Sequence, residues 1–304
     1  MQYIGLDIGG TKTSAALFNE AGQQLHYERT KTVKNDYTSF LDHVINVISQ
    51  VLAKATDELN IGVGIPGAIC PVSNNIKNSN ILVANGQNLK SDLENHFDRP
   101  IQIANDADCF ALSEAMFGAG NNHHSIFGVI IGTGCGGGLV YQKELVKGPN
   151  NVAGEWGHNQ LAFYSPEKDE EAEPCYCGNS ACNELFLSGT GFAKRYNSAN
   201  QTDFTSQEIM QLVDKSDTAS QHFELYLDQL ARALSQIINV FDPAAIVLGG
   251  GMSNIASIYR HLPNYLPKYV FGGYCNTPIL KAELGDDSGV RGAAFLNTHN
   301  RVSA

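Results

Sequence analysis

The sequence predicts an α/β protein whose core is divided between two domains. Three observations carry this. At 304 residues with 43% hydrophobic content, the chain can bury a substantial core, enough for two domains. Segments of alternating apolar residues are interleaved with segments of helical spacing in both halves. One device also recurs once per half, a β-hairpin whose turn is rich in Gly and Thr.

In order along the chain, YIGLDIG and SAALFN flank GGTK and read as strands joined by a glycine turn, and QQLHYERT extends the same meander. The segment YTSFLDHVINVISQVLAKATDEL places Phe40, Val44, Val47, Ile48, Val51 and Leu52 at helical spacing. NIGVGIPG reads as a buried strand ending in a Pro-Gly turn, and PIQIAND as another short strand. DADCFALSEAMFGAG reads as a helix begun by an acid, with Asp108 in the capping role. This first half is an α/β lobe with a mixed sheet. In the second half, SIFGVIIGTG and GGGLVYQ form strand-turn-strand around a glycine cluster, and a less regular stretch holding three cysteines follows. Helical patterns run from about Ser206 to Phe241. Strand AAIVLGGG, helix SNIASIYRHLPNYL, strand PILKAEL and a last helix near GVRGAAFLN complete the order.

Composition narrows the function classes. The opening MQYIGLDIGG lacks the basic start and long apolar stretch of a signal peptide, and no apolar run approaches the length of a membrane span. A net charge of -11 argues against a nucleic-acid surface. Of the seven cysteines, Cys70, Cys109, Cys135 and Cys275 are scattered through apolar or glycine-rich settings, as small hydrophobes are in a reducing compartment. The expectation is a soluble cytoplasmic protein with neither nucleic acid nor membrane as partner.

The chemistry-bearing segments are the glycine turns. Asp7-Ile8-Gly9-Gly10-Thr11-Lys12 sets bare backbone N–H groups, a hydroxyl and an ammonium in one tight turn beside an acid. That set suits phosphate oxygens and the magnesium that accompanies them, although an ordinary hairpin would look the same in isolation. The second turn, Gly132-Thr133-Gly134-Cys135-Gly136-Gly137-Gly138, also matches GxGxxG. A dinucleotide fingerprint needs a helix to follow, however, and LVYQKELV alternates as a strand. A third cluster, Gly249-Gly250-Gly251, ends a strand and precedes a helix, where ligands settle in α/β folds. No Walker loop is present. Three such turns suggest two lobes gripping a nucleotide.

Taken together, LDIGGTK, GTGCGGG, AGEWGH followed by CYCGNSACNE, and IVLGGGMS resemble the ROK family of sugar kinases, in order and from Met1 to about Leu296. Within that family, GEWGHN, PCYCG, LSGTGFA, KYVFGGYCNTP and GDDSGVRGAA are most similar to bacterial fructokinases of the manno(fructo)kinase type. N-acetylglucosamine kinases are the next nearest. The resemblance implies a two-lobe actin/hexokinase-type (ribonuclease H-like) ATPase fold with a small zinc-containing insertion. It puts an N-terminal lobe at 1–118 and a C-terminal lobe at 119–287, with a zinc-binding loop at 155–184. A helix at about 288–300 packs back on the first lobe, and the protein is a homodimer.

Phosphoryl transfer to a sugar hydroxyl needs a proton acceptor, a metal for the triphosphate and close alignment of both substrates. By resemblance, Asp106 is the catalytic base, a carboxylate at a strand end that accepts the hydroxyl proton. Gly67, Asn80, Asn105, Asp106, Glu155, His158 and Glu184 match sugar-contacting positions, where carboxylates and amides can engage two hydroxyls at once. Asp7, Gly9, Gly10, Thr11 and Lys12 match the first ATP phosphate loop and Gly132, Thr133 and Gly134 the second. Gly250 and Gly251 face the adenosine, and Asp7 orders Mg2+.

Cys175, Cys177 and Cys182 lie within eight residues. Read alone they allow a disulfide, a redox motif or a metal clip. Cys175 and Cys177 are too close for an easy bridge, and C-x-C-x4-C is not the C-x-x-C of thioredoxin-like sites. Structural zinc accounts for all three but needs a fourth ligand, and the resemblance supplies His158, giving a closed Cys3His site. Two departures from the family pattern stand out. Ala181 replaces a glycine, costing about 1 kcal/mol if that backbone has positive φ, and Asn183 replaces an apolar residue.

The reading is an ATP- and Mg2+-dependent hexokinase phosphorylating the 6-hydroxyl of fructose, with mannose or glucose as poorer substrates. An N-acetylhexosamine kinase is the first alternative. A non-catalytic sugar sensor is the alternative of another class, disfavoured by Asp106, and a nicotinamide dehydrogenase is disfavoured by the strand after GTGCGG.

Overall fold

The computed structural model describes residues 1–296, in two compact units. The expected last helix runs Ser288–Ala294, and the 297–300 part of that expectation lies outside the described residues.

The first unit comprises Met1–Asn122, Gly138–Gly154 and the chain from Glu283 onward. Its sheet is ordered Gln24–Lys31, Lys12–Asn19, Gln2–Ile8, Leu59–Ile65, Ile101–Asn105. The first three strands form the antiparallel meander, and the last two run parallel to Gln2–Ile8, as in a mixed sheet. Strand alternation sorts the side chains onto two faces. Ile4, Leu6, Ile8, Ala15 and Leu17 join Phe40, Val44, Val47, Ile48 and Val51 of the helix Tyr37–Leu52 in one core. That helix starts where the Asp36 carboxylate accepts the Ser39 N–H at 2.9 Å. Tyr3, Ala16 and Phe18 point the other way and pack on Val290, Ala294 and Phe295.

On this second face the helix Ser288–Ala294 lies backbone-on-backbone against the sheet. Gly5 and Gly62 are register partners, and a Cβ on either would overlap the carbonyl oxygen of Val290 or Ala293. On its far side Gly292 meets the Cys109 carbonyl of the helix Asp106–Phe117. The buried Glu114 carboxylate of that helix accepts from the backbone N–H groups of Ala119, Glu283 and Leu284 at 3.0–3.1 Å. These bonds place Glu283 with the first unit, although the expected second lobe ran to 287. Gly138–Gly154 also differs from the expected division, because Gly138 rests against Ala107 and Ala111 of the same helix.

The second unit comprises His123–Gly137 and Glu155–Ala282. Ser125–Ile131, Ala245–Gly249 and Ile279–Lys281 are parallel, with Ala245–Gly249 in the middle. The near-continuous burial of the first two is that of strands covered on both faces, whereas Ile279–Lys281 is a partly exposed edge strand. The expected helical stretch 206–241 divides into Ser206–Leu212, begun by a Thr205–Glu208 capping box, and Asp217–Phe241, capped by Ser216. Arg232 of the long helix is fully buried and paired with buried Asp169. Its Nη1 also donates to the Ala162 and Phe163 carbonyls at 3.1 Å each, fastening the loop that precedes the cysteines. No helix of the described residues is long and apolar enough to cross a membrane.

Gly292→Ala is expected to destabilise the protein by about 1–3 kcal/mol in denaturant unfolding, because the new methyl must push two helices apart. An unchanged midpoint would show that the helix contact is not tight.

Candidate active site

In the first unit the turn after Gln2–Ile8 is shaped by what its carbonyls do. The Gly9 carbonyl accepts from Thr32 Oγ1 and the Gly10 carbonyl from Lys34 Nζ, both at 2.7 Å. In a trans peptide the N–H points opposite its carbonyl, so the Gly10 and Thr11 N–H groups face away from Thr32 and Lys34. Two adjacent N–H groups on one side of a turn suit an anion. Lys12 is exposed. Asn80, predicted on the sugar side, comes to this turn: a Cβ on Gly10 would lie 3.6 Å from its Oδ1.

Asp106 is the first residue of its helix, and its Oδ1 accepts the Ala107 N–H at 2.9 Å. The N-cap is Asn105, whose Oδ1 accepts the same N–H at 2.8 Å, so the expectation of Asp108 as cap is corrected. Asp108 lies within the first turn, past the point where a side chain can cap. The other end of the Asn105 amide donates to the Gly67 carbonyl at 2.8 Å. Asn105 therefore ties Gly67 to the helix start. Gly67 has φ +99, and a Cβ there would stand 2.6 Å from the Lys77 carbonyl, so its own fold already demands glycine.

Asp7 and Asp106 are both partly buried carboxyls. Burial, then the charge of Asp106, push Asp7 up to about 7 against the pull of the Arg29 guanidinium. Burial likewise raises Asp106, opposed by the Ala107 N–H. Gly289 approaches Asp7 closely enough that a Cβ would be 2.9 Å from its Oδ2. A pair of acids that resist ionising together is suited to a cation beside one and a proton on the other.

In the second unit, the turn Gly132–Gly134 closes with the Gly132 N–H on the Gly134 carbonyl at 3.0 Å. The Gly132 carbonyl accepts the Gly189 N–H at 2.7 Å, which turns the Thr133 N–H to the opposite side. Glu184 sits on this turn: its Oε2 accepts the Cys135 N–H at 2.9 Å and leaves no room for a Cβ on Gly134. Gly250, φ +82, backs onto the Ile131 carbonyl, and a Cβ on Gly251 would meet open space. The segment of Glu155, Trp156 and His158 is pinned by the buried Trp156, whose Nε1 donates to the Gly136 carbonyl at 2.8 Å. Asn183, expected to weaken packing, instead donates from Nδ2 to the Trp156 carbonyl at 2.8 Å.

His158, Cys175, Cys177 and Cys182 form a candidate metal centre, with one donor atom from each all within 4.8 Å of one another. Nδ1 of His158 is 3.6 Å from Cys175 Sγ, and Cys177 Sγ is 3.6 Å from Cys182 Sγ. A tetrahedral ion with the bond lengths of zinc requires edges of about 3.5–3.8 Å, so the donors fit. The backbone turns there through Gly178 at φ 93 and Ala181 at φ 53. Nε2 of His158 faces outward and is 2.9 Å from the Tyr176 hydroxyl. Partial burial, then the charges of Glu184, Cys175 and Glu155, push that phenol up to about 12. Lys34 and Tyr176 are the two residues that sequence reasoning missed. Only their nearness to quoted motifs could have pointed to them.

The model of the ROK family matches residues 3–300. The chain is similar to an N-acetyl-D-glucosamine kinase of Aliivibrio salmonicida (strain LFI1238), 38% identical over 300 residues and spanning 97% of this chain and 99% of that protein. A protein of the same name from Haemophilus influenzae (strain 86-028NP) is 36% identical over 299 residues, spanning 97% and 98%. Among solved structures, the ROK hexokinase from Thermus thermophilus superposes with a TM-score of 0.86 at 27% identity, over 97% of each chain. The ROK family glucokinase from Streptomyces griseus in complex with glucose and AMPPNP shares the fold, with a TM-score of 0.76 at 24% identity over 97% of this chain and 98% of that one.

Two outcomes are expected from this geometry. Ala181→Gly relieves a left-handed alanine and should raise stability by about 1 kcal/mol in denaturant unfolding; a loss of stability would refute the strain. Asp7 keeps its proton in the folded chain to about pH 7, whereas its ordinary value is 3.8. Its contribution to stability is therefore full below 3.8 and lost as pH rises through 7. The thermal midpoint of the nucleotide-free protein should fall across that window, and Asp7→Asn should flatten the slope. Parallel curves for the two proteins would overturn the assignment.

Proposed function

This chain belongs to the ROK family and is an ATP-dependent sugar kinase, and we propose that it phosphorylates the 6-hydroxyl of N-acetyl-D-glucosamine. The observation that carries the sugar is the full-length identity of 36–38% to relatives bearing that name. Fructose, the expected substrate, gives way to the alternative. The motifs that suggested it, such as PCYCG and GDDSGVRGAA, supply cysteine donors and close backbone packing, so they mark the family rather than the sugar.

In this reading Asp106 accepts the proton of the 6-hydroxyl as its oxygen attacks the γ-phosphorus of ATP. The bond from that phosphorus to the bridging oxygen breaks, and ADP leaves. Burial supports the role, since a carboxylate raised toward the working pH is a stronger base. Asn105 holds Asp106 at the helix start and Gly67 beside it. The N–H groups of Gly10, Thr11 and Thr133 receive phosphate oxygens, with Lys12 as a charge partner. Gly251 leaves space for the nucleoside, and Gly250 with its positive φ turns the chain there. Mg2+ would screen the triphosphate charge, with Asp7 as the nearby acid. Zinc would fit the Cys3His donors as a structural ion and hold the loop that carries His158 and Glu184. Glu155, His158, Glu184 and Asn80 offer the sugar donors and acceptors.

A coupled ADP-release assay across N-acetylglucosamine, glucose, mannose and fructose tests the proposal. N-acetylglucosamine should give the highest kcat/KM, and a higher value for fructose would overturn it. In the same assay Asp106→Asn should lower kcat by about 10²–10⁴-fold while sugar binding persists.

A further inference from the structure

An imidazole has two ring nitrogens, and those of His158 face different groups. Nδ1 is directed at Cys175 Sγ, inside the candidate metal centre. That leaves Nε2 as the nitrogen with which His158 can meet a sugar, and the Tyr176 hydroxyl already lies 2.9 Å from it. The two rings meet edge to face with centroids 5.0 Å apart. Tyr176 stands between Cys175 and Cys177, so its backbone is anchored by the cysteine loop. Beyond its contacts with His158 its side chain stands in solvent: the residue is 77% exposed. The same hydroxyl lies within electrostatic reach of Glu184 and Glu155. One hydroxyl that belongs to the protein thus bonds His158 and feels the charge of two further residues assigned to the sugar.

We propose that Tyr176 gates the sugar subsite: its hydroxyl occupies the place of a pyranose hydroxyl on His158 Nε2, and the acceptor sugar binds by displacing it. The inference rests on the sugar-kinase reading and names a residue that reading does not contain. A phenol offers one donor and two acceptor lone pairs, as a sugar hydroxyl does, so the two are interchangeable partners for an imidazole. Displacement exchanges one hydrogen bond for another, and the exposed ring can swing into water without breaking a packed core. The penalty carried by the sugar is then that of one neutral hydrogen bond, about 2- to 10-fold in affinity.

Tyr176→Phe keeps the ring and removes the competing oxygen. In the full-length, metal-replete protein, the KM for the acceptor sugar and its calorimetric Kd should both fall about 2- to 10-fold, with kcat, the KM for ATP and bound metal unchanged. Unchanged sugar constants would overturn the gate, and raised ones would show instead that the hydroxyl holds the sugar. Tyr176→Leu provides a second variant with the same expected direction, so the result does not hang on one side chain. The parent reading fails separately, through absence of ADP release by the unaltered protein with any hexose or hexosamine.

Discussion

The first unit depends on backbone lying directly on backbone where the helix Ser288–Ala294 crosses Gly5 and Gly62. The same helix presents Gly289 to the Asp7 carboxyl and Gly292 to the Cys109 carbonyl. It therefore acts as a spacer with glycine on both sides, setting the distance between the strand that bears Asp7 and the helix that begins at Asp106. A methyl group at any of these positions widens that distance. The raised proton affinity of Asp7 follows from the closeness, because burial and a neighbouring acid act together on the carboxyl. Glu114 completes the arrangement by drawing the chain at Glu283 and Leu284 onto the same helix.

The second unit solves a comparable problem with short-range covalent proximity. Cys182 is followed at once by Asn183, which holds Trp156, and by Glu184, which holds the turn at Cys135. Ser188 then caps the helix Gly189–Asn200, whose first N–H engages Gly132. A candidate metal donor, a candidate sugar position and a candidate phosphate turn are thereby linked through eight residues of chain, Cys182 to Gly189. Behind them, the buried Asp169–Arg232 pair anchors the loop that leads to Cys175. An ion pair removed from water is costly unless its groups find further partners, and here Arg232 donates to the carbonyls of Ala162 and Phe163 while Asp169 accepts from Gln229 Nε2.

The parts of this arrangement that are local were legible in the residues. LDIGGTK announced its hairpin and the clustered cysteines a candidate metal site, while the resemblance added His158 to that cluster and marked Ala181 as a position where the backbone turns left-handed. Contacts that join distant segments were not. Nothing at Gly5 or Gly62 says that the helix Ser288–Ala294, at the other end of the chain, will need the space. The passage between units at Gly137 and Gly138 falls inside the strand Cys135–Tyr141, whose glycines read as part of a turn rather than as a boundary. Asn105 illustrates a third kind of difficulty. The resemblance gave it as a sugar contact; the structure adds that its oxygen caps a helix and its amide holds Gly67, roles that depend on where the Gly67 carbonyl points. The identity of the sugar was illegible because the motifs that stand out are those of backbone packing and metal donors.

Trp156 is the only tryptophan in the chain, and its indole is buried with Nε1 on the Gly136 carbonyl while its own carbonyl receives Asn183. Its emission is consequently a report on the junction between the cysteine loop and the glycine turn. Loosening of the loop would expose the indole and shift its fluorescence to longer wavelength. The protein carries, at the point where its candidate metal centre meets its candidate phosphate turn, a native optical probe.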